Sequence, residues 1–318
     1  MCGDAVARVI GVGLASRIGI HQPRFQFALD AVRTVFNALF REALPADEPE
    51  ILRLLAGVGW HFEAVFSTGR TRWMVQELSR TFGISGRAAD AAAREAWDLW
   101  MQARLEELML PRWVGAAQPS RDWVRFDGAL PERGLVLHLR AGSRMMAAWA
   151  FAERAREAGL PADWVGVFGR RGLPPEGRGA VRRSWLNQRD AVRRRREEDS
   201  LPVAWLEDEQ ALEAHLTVGG LALVAVDDQG FEHREPGLLF GQPLPMGGLP
   251  WRLMKEHPTQ WMAVERLRDK THRVELHDAA GLDRATLLGL LEDDVRRRPG
   301  HYAMTLFEHR MRNGESLR

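Results

Sequence analysis

Apolar residues recur at helical spacing throughout residues 26–113. The first segment places large apolar side chains at helical spacing, namely Phe27, Leu29, Val32, Val35, Phe36, Leu39 and Phe40. Residues 50–66 and 70–83 repeat the pattern, and residues 85–110 carry its longest run. We predict that Pro111 ends this last helix, because proline lacks the N–H that an inner helical turn requires. The region therefore predicts helices and no strand.

The pattern changes after residue 121, where short apolar runs alternate with amphipathic segments. The runs are typical of buried strands and lie at residues 123–130, 134–139, 163–169, 201–206, 221–228, 259–269 and 272–279. The amphipathic segments predict helices at residues 145–159, 182–196, 208–220 and 283–300. Residues 241–250 are rich in glycine and proline, which predicts a loop that reverses the chain.

Alternating strands and helices indicate an α/β fold with a mixed central sheet flanked by helices and a helical N-terminal region. We expect one domain over residues 1–318. Within it, residues 1–115 form the helical N-terminal region and residues 121–312 form the α/β core, beneath helices drawn from residues 26–113. A chain of 318 residues is long enough to bury such a core.

Composition and charge narrow the classes of function. The chain is 45% hydrophobic and 27% charged, as in ordinary globular proteins, and its net charge of +1 gives no indication of nucleic-acid binding. The single cysteine, Cys2, excludes an intrachain disulfide and favours a reducing compartment. Arg8 and Arg17 interrupt the apolar N-terminal stretch well short of the roughly 18–20 residues that a membrane span needs. We expect a cytoplasmic protein, and peripheral contact with the inner membrane face stays open as an alternative.

Motifs for several common chemistries do not occur in the sequence. It contains neither the G-x-x-x-x-G-K-[ST] loop nor a G-x-G-x-x-G segment after a strand, which bind the phosphates of nucleotides. It has no H-E-x-x-H motif and no cysteine cluster, and its ten histidines are scattered rather than paired at ligand spacing. We therefore predict neither a metal nor a cofactor.

A tight turn at residues 138–146 is the first of three regions suited to chemistry. It joins a predicted strand to a predicted helix, and turns of this kind expose side chains while the helix start favours anions. Its polar side chains are His138, Arg140, Ser143 and Arg144. A histidine inside a strand more often meets a polar neighbour in the core than it acts in catalysis, and this alternative applies to His138.

The other two regions are an acidic strand end and an arginine cluster. Asp227, Asp228 and Gln229 follow an apolar strand, at the end where α/β sheets usually bind ligands. A turn with a helix cap explains the two carboxylates equally well. Residues 182–196 are rich in arginine, which predicts either a solvated, salt-bridged helix face or a site that grips phosphate or carboxylate groups. We expect residues 141–146, the two aspartates and part of residues 170–196 to face one cleft.

The order and spacing of four segments resemble the lipid A biosynthesis branch of the lysophospholipid acyltransferase superfamily, the lauroyl/myristoyl-type acyltransferases. The helix at residues 86–113 resembles the family's helix that carries a glutamate, and residues 134–170 resemble its first strand–turn–helix–strand block. Residues 221–267 resemble its Asp-Gln strand end, its Phe-Gly loop, and the helix and strand that follow. Residues 290–311 resemble its closing helix. The likeness covers about residues 50–312 and implies an acyltransferase-like fold.

The family's catalytic signature is missing from the turn where the resemblance implies it. That signature is a histidine that acts as general base, followed after four residues by an aspartate or glutamate that orients the ring. The two positions fall on Ala141 and Met146, neither of which moves a proton. A register that uses His138 instead would put Ser143 at the acid position and flip the faces of the strand.

Two interpretations of function follow, and a third has less support. We favour a transferase with an altered site, which moves an acyl or acyl-like group from acyl carrier protein or coenzyme A to a small acceptor. The alternative is a non-catalytic homologue that binds a lipid, an acyl carrier protein or an enzyme partner. A serine hydrolase centred on Ser143 comes third, because its Gly-x-Ser-x-Gly elbow is incomplete.

The transferase interpretation assigns a role to each candidate residue. Ser143 is the nucleophile or a hydrogen-bond donor, and Asp227 or Asp228 is the base or the group that orients it. His138 completes the catalytic candidates. The candidates for binding substrate, mainly through its phosphate groups, are Arg140, Arg144, Gln229, Arg193 and Arg194.

Overall fold

The protein has an α/β fold in which helices flank a mixed sheet. The structure is a computed structural model and describes residues 68–115, 117, 120–141, 143–161, 163–169, 200–227, 231, 234–267, 271–303 and 305. The described part of the predicted helical region, residues 68–115, is helical apart from the short link between its two helices. Predictions for residues 26–67 and for the Arg-rich helix at 182–196 lie outside the described residues.

The elements follow the chain in alternating order after the first two helices. The described helices are α1 (Thr68–Phe82), α2 (Arg87–Gly115), α3 (Arg144–Glu157), α4 (Glu209–Thr217), α5 (Leu249–Glu256) and α6 (Arg284–Arg297). The described strands are β1 (Val124–Asp127), β2 (Gly134–His138), β3 (Val165–Phe168), β4 (Ala204–Leu206), β5 (Leu221–Ala225), β6 (Arg234–Leu239), β7 (Gln242–Gly247), β8 (Thr259–Arg266) and β9 (His272–Asp278).

Seven of the described strands form one sheet in the order β1-β9-β8-β2-β5-β3-β4. All neighbours in it are parallel except β8 and β9, which are antiparallel. The strands β2, β3, β4, β5 and β8 therefore end at the same edge of the sheet, which we call the carboxyl edge. β9 begins at this edge, because it runs in the opposite direction to β8.

The two faces of the sheet bury separate apolar cores. Because successive strand residues point to opposite faces, Val136 of β2 faces α3 and the end of α2, while Leu135 and Leu137 face α4, α5 and α6. β2, β3 and β5 are buried at every position, and this explains why they are continuous apolar runs in the sequence.

Helix α2 continues through Pro111 to Gly115, so the prediction that proline ends it is wrong. The last turn carries Trp113, which is fully buried. Its ring stacks against Trp123 at a centroid distance of 4.3 Å and against Trp149 at 6.0 Å. Burial of a side chain as large as tryptophan offsets the loss of one backbone hydrogen bond at the proline.

Residues 241–250 begin at the reversal between β6 and β7 and continue with a strand and the start of a helix, so the prediction that the whole stretch is a loop is wrong. Strands β6 and β7 pair with each other as an antiparallel hairpin, with Pro236 opposite Pro245. Proline lacks the N–H of a ladder bond, but a strand at the edge of a sheet needs hydrogen bonds on one side only. Prolines in a sequence therefore do not exclude a strand that is paired on one side only, as in this hairpin.

Among the residues that the structure describes, no helix combines the length and the apolar character needed to cross a membrane.

Gly134 should not tolerate a side chain, whereas Gly289 should. Gly134 begins β2 with a φ of +104°, and a Cβ there would overlap the carbonyl oxygen of Pro258. Gly289 lies inside α6 with open space around it. We expect Gly134→Ala to lower the free energy of unfolding by about 2 kcal/mol or more. Gly289→Ala should raise it by up to about 1 kcal/mol. Equal midpoints of the two variants in urea would contradict this assignment.

Candidate functional site

The turn between β2 and α3 lies at the carboxyl edge of the sheet. β2 ends at His138, and α3 begins at Arg144 with Ser143 as its N-cap. The Ser143 hydroxyl accepts a hydrogen bond from the Met146 N–H at 3.4 Å, which satisfies one of the helix's free N–H groups. Ser143 is 6% exposed, so its side chain contributes to the fold as a cap.

Asp227 follows β5 and is bound to the same turn. It is fully buried, and its Oδ1 accepts the backbone N–H of Arg140 at 3.0 Å. Its Oδ2 accepts the Tyr302 hydroxyl at 2.8 Å and lies 3.5 Å from Nε of Arg140. Both carboxylate oxygens are thus engaged, and the Arg140 guanidinium compensates the buried negative charge. This geometry favours a role in holding the turn over a role as a base.

The backbone of Arg140 is held from both sides by side chains. Its N–H donates to Asp227, and its carbonyl accepts the Thr305 hydroxyl at 2.6 Å. Asp227 and Thr305 lie 87 and 165 residues further along the chain. The turn therefore depends on the sheet and on the C-terminal segment as well as on its own sequence.

Burial raises the pKa of Tyr302 well above its usual value, and the neighbouring charge of Asp227 raises it further. The phenol is fully buried and is neutral because a phenolate beside a carboxylate would be repelled. Tyr302 consequently acts as a hydrogen-bond donor to Asp227 over the ordinary pH range.

His138 is a buried residue of β2. Its Nδ1 lies 2.8 Å from the carbonyl oxygen of Leu139, so this nitrogen carries the proton and donates it. Only 4% of the residue is exposed. His138 therefore fits the alternative stated for it above, a strand histidine that meets a polar neighbour in the core.

The remaining candidates of the turn fall partly outside the described residues. Arg144 is the first residue of α3 and is half-buried. Met146, which the resemblance implies at the acid position, is fully buried in the core beneath α3. The predicted cleft is described only in part: Asp227 contacts the turn, whereas Asp228 and residues 170–196 lie outside the described residues. The binding candidates Gln229, Arg193 and Arg194 lie outside them as well.

A second buried charge cluster at the carboxyl edge was not predicted from the sequence. Glu106 of α2 pairs with the guanidinium of Arg266, the last residue of β8, and lies 3.1 Å from Nε2 of His272, the first residue of β9. The Arg266 N–H donates to Nε2 of His301 at 3.3 Å. Glu106 and His272 are 2% and 0% exposed, so this cluster is inside the protein.

The protonation states of this cluster follow from burial and charge. Burial alone would raise the pKa of Glu106, but Arg266 and His272 lower it to about 2. Burial lowers the pKa of His272, and Glu106 opposes this effect. Burial, followed by the charges of Arg298 and Arg266 and then by His272, lowers the pKa of His301 to about 3. At neutral pH the cluster therefore holds one carboxylate, one guanidinium and two neutral imidazoles.

The sequence does contain a signal for Glu106. It precedes Met109, Leu110 and Trp113 by three, four and seven residues, and all three are buried. A glutamate on the apolar stripe of a helix must be paired when the stripe is buried. Its partners lie about 160 residues away, and the sequence alone does not identify them.

A groove of about 570 Å³ lies between α6 and the β8–β9 pair. The rings of Trp261 and His277 stack in it at a centroid distance of 4.1 Å. Arg296 and Arg297 on its rim already pair with acidic residues of α6. The predicted site residues do not line this groove.

Among the described residues, no group of three or more histidine, cysteine, aspartate or glutamate side chains is arranged to hold a metal ion. Comparison with known proteins gave no match to a family model and none to a curated protein.

We expect Tyr302 to ionise only when the protein unfolds. Tyr302 is the single tyrosine of the chain, so the phenolate absorbance in the near ultraviolet reports it alone. Its pKa in the folded state lies above the unfolded value of about 10, so it stabilises the fold below pH 10 and this contribution is lost as the pH rises further. Phenolate should appear together with the loss of secondary structure. Urea-unfolded protein is the reference for the titration of an exposed phenol. A reversible titration of Tyr302 near pH 10 in folded protein would contradict the buried Tyr302–Asp227 contact.

His301 should make the fold sensitive to acid. Its folded pKa of about 3 lies below the unfolded value of 6.5, so the unfolded state binds more protons below pH 6.5. As the pH is lowered, this residue alone should reduce the free energy of unfolding by up to about 1.4 kcal/mol per pH unit. In His301→Gln the free energy of unfolding should depend less on pH between pH 6.5 and pH 4.5 than in wild type. His272, whose pKa is also lowered by burial, accounts for part of the pH dependence that remains. Urea titrations at several pH values measure both slopes, and identical slopes would rule out the effect.

Proposed function

We propose that this chain is a non-catalytic binding protein on an acyltransferase-like fold, which holds the acyl thioester of acyl carrier protein or coenzyme A at the carboxyl edge of its sheet. The observation that carries the proposal is the state of Asp227. Both of its oxygens are hydrogen-bonded inside the protein by Arg140 and Tyr302, and its side chain is fully buried, so a substrate hydroxyl does not reach it. A general base needs to reach the proton that it removes.

The other described groups of the turn support the same proposal. The Ser143 oxygen accepts the N–H of Met146 as the cap of α3, and the imidazole of His138 is tied to the Leu139 carbonyl inside the fold. The position at which the resemblance implies an acid holds Met146, whose side chain is in the core. The described catalytic candidates Ser143, His138 and Asp227 thus contribute to the fold.

The binding part of the proposal rests on the carboxyl edge itself. β2 and β5 end side by side there, and α3, which is 14 residues long, begins at the end of β2. The N-terminal end of a helix attracts phosphate through its free N–H groups, and the carboxyl edge of a parallel sheet is where α/β proteins usually bind ligands. Coenzyme A and the prosthetic group of acyl carrier protein both carry phosphate, which fits this edge and the resemblance to thioester-dependent acyltransferases.

The test separates binding from turnover. Lauroyl-coenzyme A and lauroyl-acyl carrier protein are offered to the full chain, with binding followed by calorimetry and turnover by release of free thiol. We expect wild type to bind a donor without releasing thiol faster than buffer. Ser143→Ala should weaken binding by about fivefold, because loss of an N-cap costs about 1 kcal/mol at the start of α3.

Asp283→Ala is the matched control, since Asp283 caps α6 at the opposite edge of the sheet. It should lose similar stability and keep wild-type binding. Thiol release that requires Ser143 would overturn the binding proposal in favour of an enzyme that cleaves the thioester, with the acyl group passing to water or to an added acceptor. Failure of wild type to bind either donor would reject both.

A further inference from the structure

The segment of residues 298–303 and 305, which we call the strap, joins the candidate site to the rest of the molecule. It follows α6 and makes one helical turn, in which Tyr302 and Ala303 donate their N–H groups to the Pro299 carbonyl. At one end of it, Tyr302 and Thr305 donate hydroxyl hydrogen bonds to Asp227 and to the Arg140 carbonyl.

The strap is anchored independently of the site. Arg298 pairs with Glu265 at 2.9 Å and with Asp294, and His301 accepts the Arg266 N–H at 3.3 Å. Ala303 is buried against α1 and α2 together with Trp97. These contacts hold the strap against β8 and the helical region, so it has anchors in addition to its contacts with the turn between β2 and α3.

We infer that Tyr302 and Thr305 are positioning residues, which hold the Arg140 peptide and thereby the start of α3 in the conformation that binds ligand. The side chain of Thr305 takes the carbonyl of Arg140, and Tyr302 orients the carboxylate that takes its N–H. The strap thus holds the Arg140 peptide on both sides, directly through the Thr305 hydroxyl and indirectly through Tyr302 and Asp227. The ligand arm of this inference rests on the proposed function, whereas the clamp itself does not.

Hydrogen exchange of the Arg140 amide tests the clamp without any ligand. Thr305→Val removes the hydroxyl and keeps the shape, and Tyr302→Phe does the same for the phenol. We expect Arg140 to exchange about tenfold faster in Thr305→Val and roughly ten- to a hundredfold faster in Tyr302→Phe, whose hydrogen bond is to a charged group. Thr305→Ser, which keeps the hydroxyl, should restore wild-type exchange.

Two controls separate positioning from general loss of stability. Thr217→Val removes a similar hydroxyl bond, from Thr217 to the Glu213 carbonyl on α4, and should leave Arg140 unchanged. The Leu212 amide, which bonds to the Asp208 carbonyl, should exchange at the wild-type rate in the strap variants. Unchanged exchange at Arg140, or a parallel increase at Arg140 and Leu212, would overturn the inference.

The ligand arm uses lauroyl-coenzyme A. Binding should weaken about tenfold in Thr305→Val and return in Thr305→Ser. Wild-type affinity in Thr305→Val, despite faster exchange at Arg140, would refute the role of the clamp in binding. If wild type does not bind lauroyl-coenzyme A, only the proposed function is contradicted. The clamp is then judged by the hydrogen exchange of the Arg140 amide, which needs no ligand.

Discussion

A carboxylate that is removed from water must be paired, and this constraint determines how the carboxyl edge of the sheet is built. Asp227 meets it with the backbone and guanidinium of Arg140 and with the phenol of Tyr302. Its partners belong to the turn after β2 and to the strap, so one buried charge connects segments that are 75 or more residues from it in sequence. Loss of the Arg140 guanidinium would leave this charge uncompensated in a medium of low dielectric constant, at a cost of several kcal/mol.

Glu106 is a second buried carboxylate at the carboxyl edge, and it too is paired. Its partners, Arg266 and His272, lie at the end of β8 and at the start of β9, and Arg266 in turn binds His301 of the strap. The helical region is therefore fastened to the sheet by charge as well as by the apolar contacts of Trp113. Because the strap contacts both networks, the two buried carboxylates belong to one connected set of polar contacts.

The elements that could be predicted are those whose signal is local. β2 and β5 are continuous apolar runs because both of their faces are covered, and Asp208 and Asp283 cap α4 and α6 in the usual way. The end of α2 was not predictable from Pro111, because the burial of Trp113 depends on Trp123 and Trp149, which come later in the chain. The same limit applies to the site. Arg140, Ser143 and Asp227 stand out in the sequence, but their partners Tyr302 and Thr305 and the Glu106 cluster are set by tertiary contacts.

The order of strands in the sheet has a consequence for how the chain folds as it is synthesised. β2 has β5 and β8 as its neighbours, and β3 lies between β5 and β4. Both neighbours of β2 are therefore made after it, and the ribosome must add more than 80 residues after Leu137 before β5 is available. At a synthesis rate of about 5–20 residues per second, this largely apolar strand has neither of its partners for several seconds. Nascent chains of this length therefore expose an unpaired apolar strand, which is a feature that promotes aggregation.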